Sequence, residues 1–105
     1  MISKEQFSAL KKSGVSVNDE KSSTRIIEAF KGASTAQKNE IVELSGLSKF
    51  GYYKGVASPK SVLSLAQVLK IAPDYLTGES DNKKFDDKML DDFYLNAQAV
   101  MIKSL

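Results

Sequence analysis

Lys49, Phe50, Tyr53 and Lys54 place two ammonium groups and two aromatic rings within six residues, with no carboxylate among them. Such groups donate hydrogen bonds to phosphate oxygens and to guanine O6 and N7, and they offer apolar surface to a base. Phe50 has two readings, contact with a thymine methyl group or packing on the preceding helix. Ser48 stands immediately before this set. Thr35, Lys38 and Lys60 are further candidates for phosphate contact, because helix N-termini present free N–H groups. Arg25 is the only arginine and belongs to a different segment, so bidentate reading of guanine by arginine is not open to residues 49–54.

Other chemistries find little support. The chain has no cysteine and no histidine. It therefore lacks thiolate ligands, the commonest metal ligand and the commonest general base. The carboxylate pairs Asp86-Asp87 and Asp91-Asp92 are neighbours in sequence, so each pair splays around a helix instead of converging on one point. No phosphate-binding glycine loop or metal-ligand spacing is present. Neither an enzyme nor a cofactor or metal site is expected. No apolar run approaches the roughly 20 residues of a membrane span. The first residues lack the basic-then-apolar form of a signal peptide, and a cytoplasmic location is expected.

Charge is distributed unevenly. Residues 1–43 carry seven bases and six acids, residues 44–73 four lysines and no acid, and residues 74–105 four bases against seven acids. The net charge of +2 is small, but the positive charge concentrates on the stretch that holds the candidate residues. That is the electrostatic footprint a nucleic-acid surface needs.

The elements that must position these residues follow from cap and stop signals. A chain of 105 residues with 42% apolar and 27% charged side chains is expected to form one soluble domain. Ser3 and Gln6 form a capping-box pattern for a helix over 4–12, with Phe7 and Leu10 on one face and a loop over 14–19. Ser22 or Ser23 is expected to cap a helix over 23–31, with Ile26, Ile27, Ala29 and Phe30 as its buried stripe. Ser34 and Gln37 form a second capping box and open a helix over 35–45. Gly46 then supplies a sharp turn, Leu47 plugs the corner, and Ser48 is placed to cap a short helix over 49–54 in which Tyr52 faces inward. Ser58-Pro59 starts a core helix over 59–69, Pro73 a short helix over 73–77, and a last helix covers 85–104. The polar run 79–84 reads as a linker. No alternating strand pattern occurs, so the expected class is all-α.

Residues 38–54 resemble the helix-turn-helix of bacterial and phage repressors at Ile41, Gly46, Leu47, Ser48 and Tyr52. Residues 58–78 are similar to the helices that follow this unit in lambda repressor/Cro-type (Xre-type) regulators, with Ala66 and Leu69 matching an Ala-x-x-Leu stretch and Leu76 and Gly78 a Leu-x-Gly ending. The likeness covers residues 24–78. Val42 stands where the family usually has alanine, Gly55 where an apolar residue closes the second helix, and the loop before Pro59 is about three residues shorter. The resemblance implies a lambda repressor-like bundle, with an extra helix at each end, that binds double-stranded DNA and regulates transcription. It points Lys49, Phe50, Tyr53 and Lys54 toward DNA, and gives Gln37 either a phosphate contact or only its own capping box.

In the last helix Leu90, Phe93, Ala97 and Val100 follow a three-four-three spacing, widened by Met89, Met101 and Ile102. Such a seam serves either a homodimer or the core of its own domain. The first reading divides the chain into a DNA-binding domain over 1–80 and a dimerisation element over 81–105. Because this helix is acidic, a protein-interaction module with a regulatory protein partner, such as an antitoxin or antirepressor, is the alternative function. A plasmid maintenance or transfer protein also fits the residues.

Overall fold

A computed structural model describes residues 1–10 and 20–103, with side chains described as far as Ala97. The expected loop over 14–19 and the side chains of Val100, Met101 and Ile102 lie outside the described residues. The described residues form seven helices: α1 Lys4–Ala9, α2 Glu20–Gly32, α3 Thr35–Ser45, α4 Lys49–Tyr53, α5 Pro59–Leu69, α6 Pro73–Thr77 and α7 Asp87–Lys103. There is no strand among them.

The fold is assembled on α5. Ser58 caps it by accepting from the N–H of Ser61, the Ser61 hydroxyl accepts in return from the N–H of Ser58, and Pro59 occupies its first turn. Every residue from Lys60 to Gln67 is buried. The helix can be enclosed because α2, α3, α6 and α7 all pack against it. α1 lies on α3, and the chain start is clasped to α5: Ile2 N–H donates to Gln67 Oε1 (2.6 Å) and Gln67 Nε2 donates back to the Ile2 carbonyl (3.0 Å). This doubly bonded glutamine satisfies its own buried amide while fixing the N-terminal segment.

Three boundaries differ from expectation by two residues or more. α1 ends at Ala9, since Leu10 is already extended (φ −77°, ψ 135°) and inserts into the core. α2 is already helical at Glu20, so neither Ser22 nor Ser23 is its cap. Both hydroxyls are used across the fold instead, Ser22 donating to the Leu76 carbonyl (2.6 Å) and Ser23 to the Gly55 carbonyl (2.9 Å). α7 begins at Asp87 because Asp86 takes the capping role, its Oδ1 accepting from the N–H of Lys88 (3.0 Å).

The run 79–84 is a docked strap. Arg25 Nη1 donates to the carbonyls of Tyr75 (2.8 Å) and Ser80 (2.7 Å), and its Nη2 meets Asp81 Oδ1 at 2.6 Å. The same guanidinium stacks 4.0 Å from the Tyr75 ring centroid. Lys21 Nζ lies 3.0 Å from Asp81 Oδ1. Hydrogen bonds from Arg25 and then Lys21 hold the Asp81 carboxyl below its usual range. The pairing is therefore intact above the ordinary carboxylate range and is lost as pH falls through the lowered value. Ala72 N–H donates to the Lys83 carbonyl (3.1 Å), which fastens the far end of the strap.

The strap delivers α7 onto α5 and α6. Leu90 is fully buried and Tyr94 nearly so, with Phe93 and Ala97 partly buried against the same cluster. Leu90, which the sequence left open between an interface and the core of its own domain, is buried in the core of its own chain. Among its described side chains, α7 leaves the apolar Met89 and Leu95 exposed. One core spans both sides of residue 80.

A chain ending at Ser80 should thus fail to fold. Losing the burial of Leu90 and Tyr94 and uncovering α5 costs on the order of 5 kcal/mol, comparable with the whole stability of such a domain. Circular dichroism and urea titration of the truncated chain check this expectation.

Candidate nucleic-acid interface

α4 has five residues, too few for a helix to stand on its own hydrogen bonds. Its position is imposed from both ends and from beneath. At its start Gly46 adopts φ 73°, a left-handed turn, and donates to the Val42 carbonyl (2.9 Å). Ser48 occupies the N-cap position with extended backbone, but its hydroxyl makes no cap hydrogen bond, contrary to expectation. Tertiary contacts with α2 hold the helix in place of a side-chain cap.

Beneath α4, Tyr52 is 1% exposed. Its ring stacks on Phe30 of α2 with centroids 4.6 Å apart and planes 9° from parallel. Its hydroxyl lies 2.7 Å from Ser45 Oγ of α3 and 2.8 Å from Ser64 Oγ of α5. Burial raises the phenol pKa above its ordinary value, and the two serine hydrogen bonds pull in the opposite direction. A raised value means that the phenol favours folding below the ordinary tyrosine range, a contribution withdrawn as pH climbs through the raised value.

At its end, α4 closes in a Schellman motif. Gly55 N–H donates to the Tyr52 carbonyl (3.0 Å) and Val56 N–H to the Gly51 carbonyl (3.0 Å). Gly55 has φ 73°, and a Cβ there would lie 2.8 Å from the Ser23 carbonyl oxygen and 2.9 Å from Ser23 Cβ. Glycine at this position is required both by the backbone and by the close approach of α2.

With α4 held this way, Lys49, Phe50, Tyr53 and Lys54 all face solvent, Phe50 at 65% exposure. The ring of Phe50 lies outward instead of packing on α3. Lys54 Nζ sits 4.3 Å from the Phe50 ring centroid. Tyr53 packs edge-on against Phe30 (5.2 Å), and Lys38 Nζ lies 5.7 Å from the Tyr53 ring centroid. Lys38 of α3 is thereby joined to the α4 set. Among the described residues Lys38, Lys49 and Lys54 form no ion pair. Thr35 is exposed in the first turn of α3. Gln37 Oε1 accepts from the N–H of Ser34 (2.9 Å), so the capping box is real.

Lys60 does not join this face. It is 8% exposed, because α5 is enclosed from its first turn onward. Two features were missed in the sequence. The Ser45–Tyr52–Ser64 chain leaves no local signal, since its members meet only in the folded state. Gly51 did leave one, a glycine inside a very short helix, and the structure gives it no packing role: a Cβ there would meet nothing within 4 Å. No group of His, Cys, Asp and Glu among the described residues is arranged to hold a metal ion. Comparison of the chain with protein-family models, curated proteins and solved structures gives no match.

Two changes test how α4 is held. Tyr52→Phe should cost about 1 kcal/mol, the net worth of a hydrogen bond, because the Ser45 and Ser64 hydroxyls can then both donate to the carbonyls of Ile41 and Ser61. Gly55→Ala should cost roughly 2–4 kcal/mol through left-handed strain and overlap with Ser23. Both values are read from urea denaturation midpoints.

Proposed function

We propose that this chain is a sequence-specific double-stranded DNA-binding protein of the transcriptional-regulator type, in which α3 and α4 act as a helix-turn-helix and α4 meets the major groove. The observation that carries this reading is the outward face of α4. It is a helix fixed from behind by Tyr52, presenting Lys49 and Lys54 without ionic partners, in a segment with no acidic residue. Unpaired cations on a rigid element gain most from releasing the counterions of a polyanion. The aromatic groups beside them supply contacts that phosphate alone does not need.

A short helix bearing lysines reads few base pairs, so two copies on a pseudo-palindromic site belong to this reading, with half-sites about one helical turn apart. Since Leu90 is committed to the core, a second copy would use what α7 leaves exposed, Leu95 on its outer side and Met89 on its flank.

The acidic α7 favours a second reading, a module that binds a basic protein partner. Met89 and Phe93 flank Asp74 and Asp92 around a groove between α6 and α7. Salt dependence separates the two, because binding to duplex DNA weakens steeply and linearly in log salt.

Lys54→Ala should weaken duplex binding broadly across sequences and reduce the slope of log affinity against log salt by about one unit, as for a lost phosphate contact. Fluorescence anisotropy of labelled duplex at several salt concentrations measures it. A slope unchanged from wild type would remove Lys54 from the interface.

A further inference from the structure

Gly51 and Val56 form an incomplete packing arrangement. In a Schellman motif the residue two past the cap usually lays an apolar side chain on the third residue before it. Here those two positions are Val56 and Gly51, linked by the Val56 N–H to Gly51 carbonyl bond. Gly51 has no side chain to offer, and Val56 is left 50% exposed. Between them opens a recess of about 110 Å³, lined by Leu47, Ser48, Gly51, Tyr52, Val56 and the serines that start α5.

Neither feature helps the free protein. Glycine within a helix is less stable than alanine there, and the position has room for a Cβ. An exposed valine forgoes the burial free energy of its side chain. Glycine retains one advantage at such a site, which is close approach of another molecule to the backbone.

The surroundings narrow what that molecule is. Lys49 and Lys54 flank the recess in sequence, and no acid lies within residues 44–73. That charge suits a polyanion. Residues 47–56 contain no arginine, asparagine, glutamine, aspartate or glutamate. The side chains that read adenine by a paired hydrogen bond, or accept from cytosine, are therefore missing from this stretch. The one apolar group on a base edge in the major groove is the C5-methyl of thymine.

Resting on the reading of this chain as a duplex DNA-binding protein, we infer that α4 selects thymine by its C5-methyl group, which seats against Val56 in the recess that Gly51 leaves open. Lysines hold the backbone, and the methyl contact supplies sequence preference at the thymine position.

The test uses the full chain and a random-sequence duplex library. Selection from the library gives a preferred duplex, which is then made with thymine and with uracil in its place, a change that removes only the methyl groups. Wild type should lose about fourfold in affinity for each seated methyl. Val56→Ala should shrink the thymine-to-uracil ratio. Lys54→Ala should lower both affinities and keep the ratio. Gly51→Ala should raise the urea midpoint and yet weaken binding to the thymine duplex by roughly tenfold, since the added methyl fills the recess. A purely structural glycine cannot produce that opposition. Equal binding of thymine and uracil duplexes overturns the inference and leaves the DNA-binding reading standing. Gly51→Ala binding as tightly as wild type also overturns it. Absence of any duplex binding at low salt overturns the DNA-binding reading itself, and the recess would then belong to an apolar side chain of a protein partner.

Discussion

The Tyr52 side chain is where four helices are held in register. It belongs to α4, stacks on Phe30 of α2, and hydrogen-bonds Ser45 of α3 and Ser64 of α5. A five-residue helix has almost no cooperative stability of its own, so its direction is whatever its anchor dictates. A buried ring alone would allow α4 to roll about its axis. The hydroxyl prevents this, because a buried phenol that lost its partners would carry a desolvation cost. Apolar contact thus supplies the attraction and two short hydrogen bonds supply the orientation. No buried side-chain oxygen or nitrogen among the described residues is left without a partner.

α2 extends the same logic with polar groups spaced along one helix. Ser22 reaches the end of α6, Ser23 the turn after α4, and Arg25 the strap that leads into α7. The two serines end on carbonyls at or just past the C-terminal end of a short helix, which that helix cannot satisfy internally. Because the turn after α4 is pressed onto Ser23, Gly55 has no room for a side chain. The strap, fastened by Arg25 and by the Ala72–Lys83 bond, then brings α7 down over α5. These ties make a single unit of a chain whose polar run at 79–84 looks like a division.

Bases and acids are unevenly distributed along the chain. Bases without acids occupy the segment around α4, while the acids of the C-terminal third lie on α6, along the strap, and at the start of and within α7. At the α4 side, exposed rings and an open recess accompany the lysines. The proposed DNA-binding role uses the rigidity of this face as much as its charge, since base edges are read only by groups held in fixed relation.

The number, order and class of the helices were decided locally, and so were legible in the sequence. Ser3, Ser34 and Ser58 with their partners three residues on, Pro59 and Pro73 at helix starts, and Gly46 and Gly78 at helix ends all act through the backbone next to them. The inward Tyr52 and the enclosed α5 followed from apolar periodicity in the same way. The tertiary structure alone decided what each group does beyond its own helix. A serine near a helix start caps it or donates elsewhere according to which carbonyl arrives, and for Ser22 and Ser23 the carbonyls came from residues 54 and 32 positions away. An apolar seam states that Leu90 must be covered, and only packing says that its own α5 and α6 cover it. Lys60 has the composition of a surface residue, yet it lies on a helix surrounded on all sides. Local free energies select an element, but the use of its faces depends on contacts between residues far apart in the chain, which the order of residues does not display.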